Sequence, residues 1–361
     1  MWKPADSSRE IVEARSSWIS NDDIARITAV TTRAWAVSTA TLYGSGLLVF
    51  HVFCDERGIP EKDRAPISDD VLQLFLATLA GSYAKSSIVN YYAGIRAWHA
   101  VHRINWMIDK DRSALLIRGA ENLVPASSKR EPREPYTKEI VTVIIGELTL
   151  GNSFDTAVRA CMLVLLWGIA RTGECTTKTE KHSDFNPSTQ VRRCNVRDEM
   201  DPRRELKVKV IHIPSTKADQ QQGEDISFAR HPGPLCPVTA LEEHFRVNNP
   251  AEGEHLFAYT KQRTNKRVAL SRTAFLKRIR SAAVTAKQPL LSGHAFRIGG
   301  TLEYLLQGVP FEVVKALGRW KSDAFQLYLR RHAQILAPYL QDRQELQEEL
   351  TRLTIAVPPD S

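Results

Sequence analysis

Between residues 125 and 135 the chain reads Pro-Ala-Ser-Ser-Lys-Arg-Glu-Pro-Arg-Glu-Pro, with three prolines, five charged side chains and no large apolar residue. Proline lacks an amide donor and pushes the residue before it out of the α region, so neither a helix nor a buried strand runs through such a stretch. A chain of 361 residues has room for two domains of ordinary size. This segment, taken as 124–136, is the expected linker between them. On its amino-terminal side apolar residues recur at helical spacing. Ser38 is placed to cap a helix carrying Leu42, Leu47, Leu48, Phe50 and Phe53, and Ser68-Asp69-Asp70 starts another with Val71, Leu72, Phe75, Leu76 and Leu79. A long helix is expected over 85–103 and a further one near 111–123. Residues 1–123 therefore read as an all-helical domain with a polar extension over 1–35.

After the linker, Thr137 and Glu139 open a new helix. The next is expected from Asp155 to Arg171. Its run Cys161–Trp167 is apolar on nearly every side, which places it at the centre of the second core. Residues 206–213 alternate apolar and basic at first, as a strand does. Residues 271–353 read as helical, with a carboxy-terminal helix over 334–353. The expected fold class is mainly α: a helical amino-terminal domain, then a mostly α domain over 137–361 with a small antiparallel sheet.

Composition narrows the function classes. A hydrophobic fraction of 43% supports packed cores. No run of about 18 apolar residues occurs, so no membrane span is expected. The first 25 residues contain acids and no apolar core, unlike a secretory signal. Cys54, Cys161, Cys175, Cys194 and Cys236 are scattered without a CxxC pair. That pattern suggests reduced thiols in an intracellular protein, and no zinc site. The net charge is +8, and residues 255–302 hold ten Lys or Arg and no Asp or Glu. A surface built only for solubility usually mixes signs. A face that tracks a polyanion excludes carboxylates, because each would sit against phosphate. Lys261, Arg263, Lys266, Arg267, Arg272, Lys277, Arg278 and Arg280 are therefore the expected contacts to double-stranded DNA.

Four short motifs carry the candidate chemistry. With Ser292 placed to cap the helix, His294-Ala-Phe-Arg297 puts an imidazole and a guanidinium three apart on one helical face, within reach of one phosphate. Arg171, in Gly168-Ile-Ala-Arg-Thr-Gly-Glu174, emerges from a buried helix. Such a charge is costly unless it meets an anion, and Glu174 can hold it. Lys217 sits on the turn after the strand. Trp320 and Tyr328 share the segment Leu317-Gly-Arg-Trp-Lys-Ser-Asp-Ala-Phe-Gln-Leu-Tyr328. Taken singly, each has an ordinary structural reading: a surface His and Arg, a buried ion pair, a solvated lysine, two core aromatics.

Taken in order, Arg171, Lys217, His294, Arg297, Trp320 and Tyr328 resemble the catalytic domain of the tyrosine recombinases, over roughly residues 135–332. The strings "LLWGIARTGE" and "PLCPVTALEEHF" resemble the surroundings of the family's first arginine and the segment before its HxxR. The text from His294 to Arg331 looks most like the recombinases of eukaryotic DIRS-type and Crypton mobile elements and their fungal relatives. Residues 38–123 are similar in kind to the family's DNA-clamping amino-terminal domain. The resemblance implies cleavage and rejoining of DNA through a 3′-phosphotyrosine, with neither metal nor ATP. It makes Tyr328 the nucleophile, Arg171 and Arg297 the phosphate clamp, Lys217 the general acid, His294 the proton acceptor or relay, Trp320 a phosphate support and Glu174 a support for Arg171. It further implies a homotetramer on two duplexes and, in a eukaryote, a nuclear address. Phage and bacterial members commonly place the tyrosine nine residues after a His or Trp. Here it follows Trp320 by eight, which keeps Tyr339 open as an alternative nucleophile. A type IB topoisomerase, or a DNA-binding protein descended from a recombinase, are the alternatives.

Overall fold

A computed structural model of the chain describes residues 3–4, 18–124, 131–180, 185–322, 326 and 330–340. It divides into two compact units, Met1–Glu131 and Pro132–Ser361.

The first unit is helical. Its elements are α1 (Asn21–Thr32), α2 (Val37–Glu56), α3 (Asp69–Leu79), α4 (Lys85–Val101) and α5 (Lys110–Asn122). Short polar side chains start most of them by accepting orphan amides. Ser20 and Asp23 form a reciprocal capping box, Ser68 accepts from Val71, and Asp109 accepts from Asp111 and Arg112. Helix α2 departs from the sequence reading. It begins at Val37 behind Ala36, with no side-chain cap, so Ser38 lies inside it. What fixes α2 is its crossing with α4. A methyl group on Gly46 would lie 2.7 Å from the Tyr91 ring, and one on Gly94 would lie 2.8 Å from the Tyr43 carbonyl. Leu47, Phe50, Leu72, Phe75, Leu76, Ile88, Ile95 and Trp98 fill the core. Helix α2, at 20 residues, is also long and apolar enough to cross a membrane by length and composition. Here Leu47, Phe50, Phe53 and Cys54 bury its inner face.

The second unit is mostly α with two small sheets, in keeping with the sequence reading. It opens with Tyr136, which stacks on Phe296 at 4.2 Å and donates its amide to the Ala295 carbonyl. Then come α6 (Lys138–Gly146), capped by Thr137, and α7 (Ser153–Trp167), capped by Asn152. Helix α7 is buried along nearly its whole length, as its apolar run requires. It stops at Trp167, four residues short of the expected Arg171. The short α8 (Thr172–Cys175) follows. Strands β1 (Val196–Asp201), β2 (Leu206–Ile213) and β3 (Glu224–Phe228) pair antiparallel in chain order, with Val196 opposite Ile211 and Ile211 opposite Ile226. Helix α9 (Pro237–Asn248) and the two-residue strands β4 (Tyr259–Thr260) and β5 (Arg267–Val268) lead to α10 (Arg272–Thr285), α11 (Ala295–Leu306), α12 (Phe311–Leu317) and α13 (His332–Leu340). Residues 341–353 of the expected terminal helix lie outside the described residues.

Two adjacent glycines decide where α11 sits. An added Cβ on Gly299 would be 2.0 Å from the Tyr136 carbonyl oxygen, and one on Gly300 would be 1.9 Å from that of Leu166. Only residues without side chains let α11 lie this close to α7. That depth carries the HxxR sequence of its first turn against the end of α7.

Candidate active site

The chain leaves α7 through Gly168, where a Cβ would strike the Ile226 side chain at 2.1 Å. The next residue, Ile169, is fully buried with φ +45°. A β-branched residue in the left-handed region is strained and persists only where the surroundings fix it. Arg297 does the fixing. It is fully buried, and its Nη1 donates to the Ile169 carbonyl at 2.5 Å. Its Nη2 donates to the Gly318 carbonyl, also at 2.5 Å. Gly318 precedes a second left-handed residue, Arg319, with φ +58°. The Trp320 ring lies 4.1 Å from the Arg297 guanidinium carbon, a cation–π contact in a desolvated place. One arginine from the first turn of α11 therefore joins two irregular turns, one after α7 and one after α12.

Arg171 stands beside this core and is partly exposed, with 31% of its side chain open. Its amide and Nη1 both donate to Glu174, at 2.8 and 2.7 Å. The Thr172 hydroxyl donates to the Gly293 carbonyl at 2.9 Å, which ties this segment to the HxxR turn. His294 is the N-cap residue of α11; Ser292, the expected cap, only accepts the Ala295 amide through its carbonyl. The His294 imidazole is held down at about pKa 4, first by burial and then by the charges of Arg133, Arg297 and Arg171. It is therefore neutral at neutral pH, the form that can accept a proton.

The sequence reading passed over Arg319. It is almost fully buried, and its Nη2 meets Glu174 Oε2 at 2.9 Å. Its Nη1 lies 3.9 Å from Glu224 Oε2 on β3. Burial works against the charge of Glu174, but Arg319 and the bonds from Arg171 outweigh it and hold the carboxyl below its usual range.

Lys217 is exposed on the loop between β2 and β3. Tyr328 lies outside the described residues. Tyr339 falls within α13. The eight basic residues expected at DNA divide into two groups. Lys261 pairs with Glu180, Arg267 Nη2 with Glu254 at 3.1 Å, and Arg278 with Asp155 at 2.7 Å. Their carboxylates come from outside 255–302, so a stretch without acids in sequence is partly neutralised in space. Arg263, Lys266, Arg272, Lys277 and Arg280 are exposed.

No family model matches the chain, and no curated protein matches it in sequence. Solved structures do match its fold. A post-cleavage complex of the XerH site-specific recombinase with a palindromic difH substrate is 12% identical, covers 89% of this chain and 84% of its own, and superposes with a TM-score of 0.54. A pre-cleavage complex of XerH with its difH substrate is 12% identical over 96% of this chain and 93% of its own, with a TM-score of 0.52. The chain thus has a fold similar to that of the XerH recombinase over most of its length.

Proposed function

We propose that the chain is a site-specific DNA recombinase that cuts and rejoins DNA through Tyr328. One observation carries this reading. Arg171, His294, Arg297 and Arg319, far apart in sequence, converge on one charged cluster within a recombinase-like fold. A polar cluster of this kind, built on strained turns, is costly to fold and fits an anionic ligand.

In the proposed reaction the Tyr328 hydroxyl attacks a DNA phosphodiester. A tyrosine at its ordinary pKa near 10 is a weak nucleophile at neutral pH, so neutral His294 takes or relays its proton. Arg171 offers its exposed edge to a non-bridging oxygen. Arg297 supplies the second guanidinium once it exchanges a carbonyl partner for phosphate. Two planar forks match phosphate geometry and bind more strongly as charge builds. Lys217 protonates the departing 5′ oxygen. A second 5′-hydroxyl then reverses the chemistry and restores the bond. The phosphotyrosine link conserves the bond energy, so the cycle runs without ATP, and the fixed cations do the charge stabilisation for which nucleases use metal. The exposed Arg263, Lys266, Arg272, Lys277 and Arg280 take duplex phosphates, and the helical unit adds further DNA contacts. Assembly as a homotetramer on two duplexes, a mobile-element origin and a nuclear site of action complete the proposal.

The test is to incubate the protein with nicked random-sequence duplexes and run denaturing gels. A covalent protein–DNA band is expected from the wild type. Tyr328→Phe should lose it while binding DNA almost unchanged, since only one hydroxyl is removed. A band that survives in Tyr328→Phe and disappears in Tyr339→Phe moves the nucleophile. Relaxed circles without strands joined between duplexes would indicate a topoisomerase instead.

A further inference from the structure

The loop that carries Lys217, residues 214–223, is wired more heavily than an exposed hairpin requires. The Thr216 hydroxyl is buried and donates to Glu224 Oε2 at 2.6 Å. Thr216 Oγ1 in turn accepts the amides of Ala218 at 3.2 Å and Asp219 at 3.0 Å. The Thr216 amide donates back to the Asp219 carbonyl at 2.8 Å. The backbone is therefore fixed on both sides of Lys217 while the lysine side chain stays exposed. The loop also closes tightly: Gly223 has φ +72°, and a Cβ there would lie 2.0 Å from the Ile213 carbonyl oxygen. Two contacts tie it to the segment after α12. Glu224 faces Arg319, and the Lys321 ammonium donates to the Ala218 carbonyl at 3.2 Å.

We propose that Thr216 and Glu224 are positioning residues that aim Lys217 at the leaving oxygen, with Arg319 linking them through Glu174 to Arg171. The proposal rests on the reading of Lys217 as general acid. In that step the bond from Tyr328 Oη to phosphorus forms and the bond from phosphorus to the 5′ oxygen breaks. The electron pair goes to that oxygen, which takes a proton from the Lys217 ammonium. A carboxylate hydrogen-bonded to a buried hydroxyl holds geometry that a solvated turn would lose, and a misplaced proton donor loses most of its catalytic value.

The test compares cleavage of two nicked duplexes, one with the natural 5′-bridging oxygen and one with sulfur in its place. A thiolate leaves without being protonated, so the sulfur substrate does not need the acid. Lys217→Ala sets the benchmark: slow on oxygen, restored on sulfur. Thr216→Val keeps the shape and removes the hydroxyl. It should lose about 10²-fold on oxygen, the scale of general-acid catalysis, and recover on sulfur. Thr216→Ser, which keeps the hydroxyl, should stay close to wild type on both. Glu224→Gln provides a second variant if Thr216→Val does not fold, and should show the same selective recovery. Equal losses on the two substrates, or no loss in either variant, would overturn the positioning role. If Lys217→Ala itself fails to recover on sulfur, the fault lies with the general-acid reading on which the proposal stands.

Discussion

Each unit buries an arginine, and the two are used differently. In the first, Arg64 is held within its own neighbourhood. Its Nε and Nη2 reach the Ile59 carbonyl, Nη2 reaches Asp55 at 2.6 Å, and Nη1 meets His51. All its partners lie within thirteen residues, and its task is to close the turn between α2 and α3. In the second unit, Arg297 reaches a carbonyl 128 residues away, and Arg319 reaches a carboxylate 145 residues away. Those bonds join distant segments and hold two non-glycine residues at positive φ. A buried arginine that satisfies itself locally is a structural rivet. One that gathers distant turns, with a partly exposed arginine and a neutral histidine beside it, is what the proposed site is built on.

The comparison breaks most visibly through mutation of the two arginines. Arg64→Ala and Arg297→Ala should each cost about 1–3 kcal/mol of stability, because each leaves carbonyl acceptors without their guanidinium partner. Only Arg297→Ala should also slow DNA cleavage by about 10²-fold or more per folded molecule. Denaturant melts beside single-turnover cleavage separate the two effects. Loss of cleavage in folded Arg64→Ala would erase the distinction.

Arg171→Ala sharpens it. Because Arg171 is partly exposed and Arg319 still holds Glu174 when it is gone, the stability loss should be smaller than for Arg297→Ala. The cleavage loss should be similar, about 10²-fold. A variant that unfolds but cleaves normally while folded would make Arg171 a structural residue.

The same contrast explains what could be read from sequence. Local physics was legible. Ser68 and Thr137 cap as short polar residues should, the apolar run Cys161–Trp167 is buried, and residues 206–213 form a strand. Ser38 and Ser292 misled, because chain packing and not a hydroxyl sets where those helices begin. Arg319 was hidden because its meaning lies in Glu174 and Glu224, which no periodicity connects to it. The surroundings of the basic stretch were hidden in a related way. Lys261, Arg267 and Arg278 meet carboxylates at Glu180, Glu254 and Asp155, and only folding brings these together.

Acid should weaken both units. Burial holds His99 and His244 at about 4 and His255 at about 3. These lie below the unfolded value near 6.5. The unfolded chain then binds protons that the native chain does not, so stability is fully present above about pH 6.5. It declines as the pH falls toward 4, and His255 extends the loss toward 3. Denaturant melts across this range should show the decline. Stability that is flat or rising there would mean the histidines are charged when folded.

The smallest effects concern binding. Alanine at Arg263, Lys266, Arg272, Lys277 or Arg280 should each reduce the salt slope of DNA affinity by about 1. Arg267→Ala and Arg278→Ala should change the slope little, because their charges already face Glu254 and Asp155. An equal change at both groups would mean that DNA displaces those carboxylates.

The central claim is that this cluster serves a covalent step at Tyr328, and mapping the linkage tests it most directly. The protein would be trapped on a nicked duplex, digested with protease and nuclease, and the nucleotide-bearing peptide sequenced by mass spectrometry. The account predicts a single modified residue, Tyr328, linked to a 3′-phosphate, and about 10²-fold less of that peptide from Arg171→Ala. A linkage at Tyr339, or DNA broken with no peptide attached, would contradict it.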